Sequence, residues 1–429
     1  MGMFLRKIGI DCSITLEESS EYVSARMWMI SRSILQLIFE LLNFSHLLFP
    51  NLRRLEFYFA PSSSSHIFLF LSPLLDSLHL YDISGFEDTV VGPVLATFIS
   101  SPLMLRRIFL RSGRMSADNL KNKIVHFKQL RSVEISNAAL MTDFSLWEVL
   151  GTLPFLENFL MVVDDPEYLP AHVPKDSNDQ SSGLRHFEAL ESLHVRSPFY
   201  LIQHLLGFID SPCLKLIEVF PYHASLERDH DSGDLLIPSL TIVAAKWSQS
   251  LKELTIGSHT IGITHRNSKF LMPLADLHEI QKFELVGWRM EKNNDVLRRL
   301  AMSWPKLRQL VLLPCLEAQS PNQTFISLSN LRIIAENCPE LVFLDIELDV
   351  DTIPPFDDIS GKILCHNLEV LFLWRVHQSI TQISLECQIQ VARHLDLLFP
   401  YVKSIYSRDR TWSGICDLVS LCHDARQGR

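Results

Sequence analysis

The densest grouping of side chains able to do chemistry is His223, Glu227, Asp229, His230, Asp231 and Asp234. Imidazole and carboxylate groups are the ligands of a metal-dependent hydrolase, in which the cation activates water. Such a centre needs its ligands fixed on rigid elements at recurring intervals, as in His-Glu-x-x-His, and this run has no such spacing. It falls between Pro221 and Pro238 in a segment that reads as a loop, so a metal-dependent hydrolase ranks third, behind two binding readings. Gly257 to Gly262 lacks the Lys-Ser/Thr that a phosphate-cradling loop requires, and no Gly-x-Ser-x-Gly or Gly-x-Gly-x-x-Gly occurs.

The cysteines also read as structural. Eight in this chain include no Cys-x-x-Cys pair, which argues against a zinc ribbon or a dense disulfide framework. Cys338 and Cys365 each stand three residues ahead of a predicted strand, where a small buried residue suits a packed layer better than a nucleophile. No catalytic residue, cofactor or metal is expected.

The elements that would position any site are legible in Leu307-x-x-Leu310-x-Leu312. This is the strand pattern of a leucine-rich repeat, and a single copy cannot bury its apolar edge without stacked neighbours. Equivalent triplets start at Leu52, Leu75, Leu105, Leu130, Leu156, Leu190 and Leu214, then at Leu251, Ile280, Leu307, Leu341, Leu368 and, in degenerate form, Val402. That makes thirteen candidate copies at a mean spacing of about 29 residues. Proline sits two residues ahead of the first core position at Pro50, Pro73, Pro154, Pro212, Pro305, Pro339 and Pro400, where it ends the preceding helix and suits an extended strand start.

Helix-like segments fall between the triplets at 116–127, 142–150, 294–303, 329–338 and 386–398. The expected fold is therefore an α/β leucine-rich-repeat solenoid with a curved parallel sheet on the concave side and helices on the convex side. Residues 1–30 read as a poorly defined leader, 31–49 as an N-terminal capping or F-box-remnant helix, 50–408 as the repeats, and 409–429 as a C-terminal capping helix and tail. Insertions are expected at 164–183, 221–238, 258–273 and 349–361, all on one rim.

On such strands the residues beside the second and third core positions face the concave surface. The tenth to twelfth copies place Gln309, Val311, Leu313, Phe343, Asp345, Glu347, Val370, Phe372 and Trp374 there, a partly apolar, aromatic patch edged by acids. Exposed Trp and Phe in one patch point to a protein partner, and Val311, Leu313, Phe343, Val370, Phe372 and Trp374 are its candidate contacts. A second cluster joins Arg107, Phe109 and Arg111 to Ser77, His79 and Tyr81, and could receive an acidic or phosphorylated peptide, with ordinary solvated charge as the alternative.

The irregular triplets, Cys-Pro-Glu-Leu-Val-Phe-Leu at 338–344 and the Phe/Ser/Trp-Pro-x-Leu strand starts resemble the repeat region of fungal F-box-type proteins over roughly 50–406. Ile34, Leu35, Ile38, Phe39 and Leu42 are similar to the core of an F-box helix, although no Leu-Pro precedes them and the first repeat follows within a few residues. The resemblance implies a substrate-recognition domain whose F-box docks on the adaptor subunit of a cullin ubiquitin ligase. A free-standing leucine-rich-repeat interaction protein is the other reading.

Composition bounds the partners. The chain is 47% hydrophobic and 21% charged, enough apolar residues for a continuous core. A net charge of -10 argues against a nucleic-acid partner, which needs clustered Lys and Arg. Neither a secretory signal nor a membrane-spanning run is legible, so the expectation is an intracellular protein, cytoplasmic or nuclear, with a protein partner.

Overall fold

The computed structural model describes residues 24–27, 51–58, 67, 71–81, 91–99, 105–111, 117–136, 143–163, 186–222, 232–258, 268–288, 294–313, 326–349, 353–354, 366–374, 384–407 and 412–426. The chain forms two compact units, residues 1–198 with 208–213, and residues 199–207 with 214–429. Each is a leucine-rich-repeat α/β stack.

The first unit has strands β1 (Ser24–Met27), β2 (Arg54–Tyr58), β3 (Ser77–Tyr81), β4 (Arg107–Arg111), β5 (Ser132–Ser136), β6 (Asn158–Val162) and β7 (Ser192–Pro198). They pair in parallel in chain order. Their crossovers include helices α1 (Gly92–Ile99), α2 (Ala117–Ile124) and α3 (Phe144–Gly151), which pack side by side. Strand β1 lies inside the segment that reads as a leader from its sequence. Its register sets Ala25 opposite Leu55 and Met27 opposite Phe57, so a small residue replaces the expected leucine and hides the pattern.

The second unit contains α4 (Phe199–Phe208), whose last residue belongs to the first unit, and β8 (Leu216–Tyr222), α5 (Ser232–Trp247), β9 (Glu253–Gly257) and β10 (Lys282–Val286). It continues with α6 (Asn294–Ser303), β11 (Gln309–Leu313), β12 (Ile326–Ser327), α7 (Leu328–Asn337), β13 (Phe343–Asp349), β14 (Val370–Trp374), α8 (Leu385–Leu398), β15 (Ser404–Ser407) and α9 (Ser413–Arg426). Strands β8, β9, β10, β11, β13, β14 and β15 pair in parallel in that order, and β12 adds to β13.

Backbone bonding makes the repeat. In β2 to β6, β8 to β11, β13 and β14, the carbonyl one residue ahead of the first open-face residue accepts two amides from the next repeat. Arg106 O, for example, accepts from Arg131 N at 2.8 Å and Ser132 N at 3.0 Å. Arg53, Asp76, Arg131 and Glu157 do the same in the first unit, and Lys215, Lys252, Gln281, Arg308, Val342 and Glu369 in the second. The prolines serve this lead-in. In the turns at Pro73, Pro154, Pro305, Pro339 and Pro400, the first core residue's N–H returns to the carbonyl just before the proline, as in Leu307 N to Trp304 O at 3.1 Å. Proline therefore holds the second position of a β-turn, where its fixed φ is already correct.

The triplet residues form the buried layer in every strand from β2 to β14 apart from the two-residue β12. Leu271, Val296, Leu297, Leu300 and Trp304 line one apolar space with Phe283, Leu310 and Leu312, so the helical layer packs on that side of the sheet.

Helix α5 departs from the sequence expectation, which places a loop up to Pro238. The proline lies within the helix, where it costs about 3 kcal/mol. Leu236, Leu240, Val243, Ala244 and Trp247 are all buried at helical spacing, and each large aliphatic among them contributes about 1.5–3 kcal/mol, which outweighs that cost. Lys246 Nζ also donates to Gly207 O at 2.5 Å, satisfying a carbonyl of the last turn of α4. At the far end α9 packs on α8 with Trp412, Ile415 and Val419 buried, while His423 and Arg426 both meet Asp396.

Leu310→Ala, at the centre of the packed layer, should lower the unfolding free energy by about 2–5 kcal/mol in a urea titration. A loss below about 1 kcal/mol would show that the side chain is not enclosed as described.

Candidate functional site

Residues between the core positions of each strand form rows across the open face, stepping about 4.8 Å per strand. In the second unit Gln309, Phe343, Val370 and Ser404 share one row, and Val311, Asp345, Phe372 and Tyr406 the next. Phe372 is the centre of a ladder of rings, 5.5 Å from Phe343 and 4.8 Å from Tyr406, with the latter pair stacked at 23°. Phe343 reaches it diagonally, one row away on the neighbouring strand, as large side chains on a sheet can. Tyr406 is 49% exposed, and Val342 and Tyr401, in the lead-ins to β13 and β15, are exposed as well.

Not every residue that the alternation assigns to this face is presented. Val311 is only 6% exposed, and Asp345 and Glu347 are 9% and 4% exposed, so Val311 is a packed residue and not a contact surface. Alternation fixes which side of a sheet a residue takes, but not how far its neighbours close over it. Leu313, Phe343, Val370 and Phe372 are half-buried; Trp374 ends β14 opposite Glu347, and its side chain lies outside the described residues. The presented apolar surface therefore shifts toward the last strands, to Phe343, Val370, Phe372 and Tyr406. Tyr406 is the residue that sequence reasoning missed. It stands between Ile405 and Ser407 in the degenerate last copy, where a polar residue occupies the third core position.

Charges beside this patch are partly neutralised. Glu284 accepts from Gln309 Nε2 at 2.9 Å and lies 3.1 Å from Lys282 Nζ.

In the first unit Arg107, Phe109 and Arg111 lie on β4 with both arginines exposed and Phe109 half-buried, and β3 sets Ser77 opposite Arg107 and His79 opposite Phe109. Ser77 Oγ is 3.0 Å from His79 Nε2, and Ser192 and His194 repeat the pair at 2.9 Å in equivalent register. A nucleophile must reach substrate, and Ser77 is buried, so this pairing satisfies two side chains on one strand face.

Cys338 is buried with its Sγ 3.7 Å from Ala301 O, and burial pushes the thiol up to about 12, which keeps it protonated. The F-box-like residues Ile34, Leu35, Ile38, Phe39 and Leu42 lie outside the described residues, as do Cys365, His223, Glu227, Asp229, His230 and Asp231. Asp234 is in the first turn of α5, with its side chain also outside them. Among the described residues no helix is long and apolar enough to cross a membrane.

No protein-family profile matches the chain, and no curated protein matches it. Among solved structures it is similar to the yeast Rad7 and Elc1 complex, at 15% identity over 68% of this chain and 81% of that one, with a TM-score of 0.27. It is also similar to a Bacteroides fragilis protein, at 10% identity over 87% and 72% and a TM-score of 0.29. Internalin C2 from Listeria monocytogenes gives 10% identity over 75% and 93% and a TM-score of 0.24. The fold assignment rests on the strand register described above.

Burial first, then Arg54, with Arg107 adding, holds the His79 imidazole down to about 4, against the opposing effect of Glu56. Unfolding restores a value of 6.5. Between these values the unfolded chain binds more protons, so stability present above the upper value is lost as pH falls toward the lower. The drop in urea midpoint from neutral to acid pH should be smaller in His79→Gln than in the wild type; equal drops would remove His79 from the acid response.

Proposed function

We propose that this protein is a non-enzymatic interaction scaffold that presents the open sheet face at β13, β14 and β15 to a protein partner. The observation that supports this is the ring ladder of Phe343, Phe372 and Tyr406, which ends in a Tyr that is half exposed on a rigid strand. Aromatic side chains on fixed backbone lose little entropy when they bind and are enriched among interface anchors. Val370, half-buried and in register with Phe343, extends the apolar surface beside them.

The finer reading is that of a substrate-recognition domain linked to a cullin ubiquitin ligase. It is supported by the similarity of Ile34, Leu35, Ile38, Phe39 and Leu42 to an F-box core. A free-standing interaction protein with no such link is the second reading, favoured by the absence of Leu-Pro ahead of that segment. Co-purification with a cullin-adaptor subunit, lost on Ile38→Asp, separates the two.

Quantitative capture of partners on the full chain should identify at least one that Phe372→Ala/Tyr406→Ala weakens by about 2 kcal/mol, roughly thirtyfold. Tyr406→Ala alone, which removes an exposed side chain, controls for misfolding. Retention of every recovered partner by both variants would overturn the proposed site.

A further inference from the structure

A second open-face feature lies in the first unit and does not depend on the aromatic ladder of the other. Phe109 sits among three rings, 5.4 Å from His79 in a stacked pair and 4.8 Å from Tyr81. Arg107 and Arg111 flank it on the same strand face, two residues to either side. Both are exposed, and among the described residues neither guanidinium makes a hydrogen bond or ion pair. Arg54, by contrast, is matched to the buried Glu56 at 2.7 Å. The burial of His79 and the field of Arg54 and Arg107 keep that ring neutral at physiological pH, so the charge presented there is that of the two free arginines. Glu134, next to Phe109 in register on β5, bounds the platform on the opposite side from β3.

We propose that this platform docks an extended acidic segment of a protein partner with the spacing acid-x-apolar-x-acid. An extended chain rises about 3.3 Å per residue, so side chains four residues apart are separated by about 13 Å. Arg107 and Arg111 are themselves four residues apart on an extended strand, so a segment lying along β4 meets both with its two carboxylates. Its middle side chain then rests on the face of Phe109. Each guanidinium offers paired donors to a carboxylate, which makes the contact charge-assisted at both ends. A nucleic-acid strand could use the same arginines and rings, but a long polyanion would meet the chain's net charge of -10 along its length, whereas a short segment meets the local arginines alone.

The test uses the full chain and a fluorescein-labelled peptide, Ser-Glu-Ser-Phe-Ser-Glu-Ser, followed by anisotropy at low salt. Saturable binding is expected, weakened about tenfold or more by Arg107→Gln/Arg111→Gln and by replacing both peptide glutamates with glutamine. Arg332→Gln, at a partly exposed arginine on α7 paired with Glu336, should leave it unchanged. The double variant should unfold at the wild-type midpoint because both side chains are exposed; Arg111→Gln alone replaces it otherwise. Absence of saturable binding, equal binding by the variants, or tighter binding of a single-stranded oligonucleotide of matched charge would overturn the proposal.

Discussion

From β2 to β7 in the first unit and from β8 to β15 in the second, each repeat is tied to the one before it by a carbonyl that accepts two amides, beside the parallel strand pairing, and the register of the sheet depends on this fork. It appears at Arg106, where Arg131 N and Ser132 N converge, and again at Gln281, where Arg308 N and Gln309 N do so. A backbone acceptor with two partners leaves no freedom to slide by one residue, and a slip of one would turn every leucine to the wrong face. The turn ahead of each strand delivers its amides to the fork, and proline sets that turn before packing begins. The side chains at these positions are mostly charged and exposed, and neighbouring repeats pair them, as in Arg131 with Glu157 at 2.5 Å and Lys403 with Glu369 at 2.7 Å. Such exposed pairs contribute little to stability, so the main chain and the leucine layer carry the stack.

With register fixed, one strand specifies two surfaces. In β14 Leu371 and Leu373 are buried in the core, while Phe372 between them is placed beside Tyr406 and within reach of Phe343. The positions of the open-face rings are thus set by the packing of residues a partner would never touch. Sites on rigid elements hold their geometry more closely than sites on loops, which is why a binding face built from strand residues suits an interaction scaffold. The first unit applies the same logic with different chemistry, placing arginines around a ring platform where the second unit places aliphatic residues around one.

The parts of the fold legible in the sequence were those with strong periodic signals. Leucine triplets recur because each buried layer needs the same shape, and proline recurs because each turn needs the same φ. Strand β1 was not legible because Ala25 stands where other copies carry Leu, Ile, Val or Phe, and backbone pairing tolerates that exchange where a pattern search does not. The helical run through Pro238 was hidden by a local rule that tertiary burial of Leu236, Leu240 and Trp247 overrides. In the candidate site, the side of the sheet was legible for Phe343, Val370 and Phe372, but the burial of Val311 was not, since cover is supplied by neighbours distant in sequence. Tyr406 was obscured by Ser407, which breaks the triplet that would have marked the residue beside it.

Hydrogen exchange resolved to single amides at the starts of the strands tests the forked carbonyl most directly. The fork requires the amides of Lys252, Glu253, Gln281, Lys282, Arg308 and Gln309 to exchange as slowly as the strand amides that follow them. Exchange of these amides at the rate of exposed loops, with the strand interiors still protected, would contradict it.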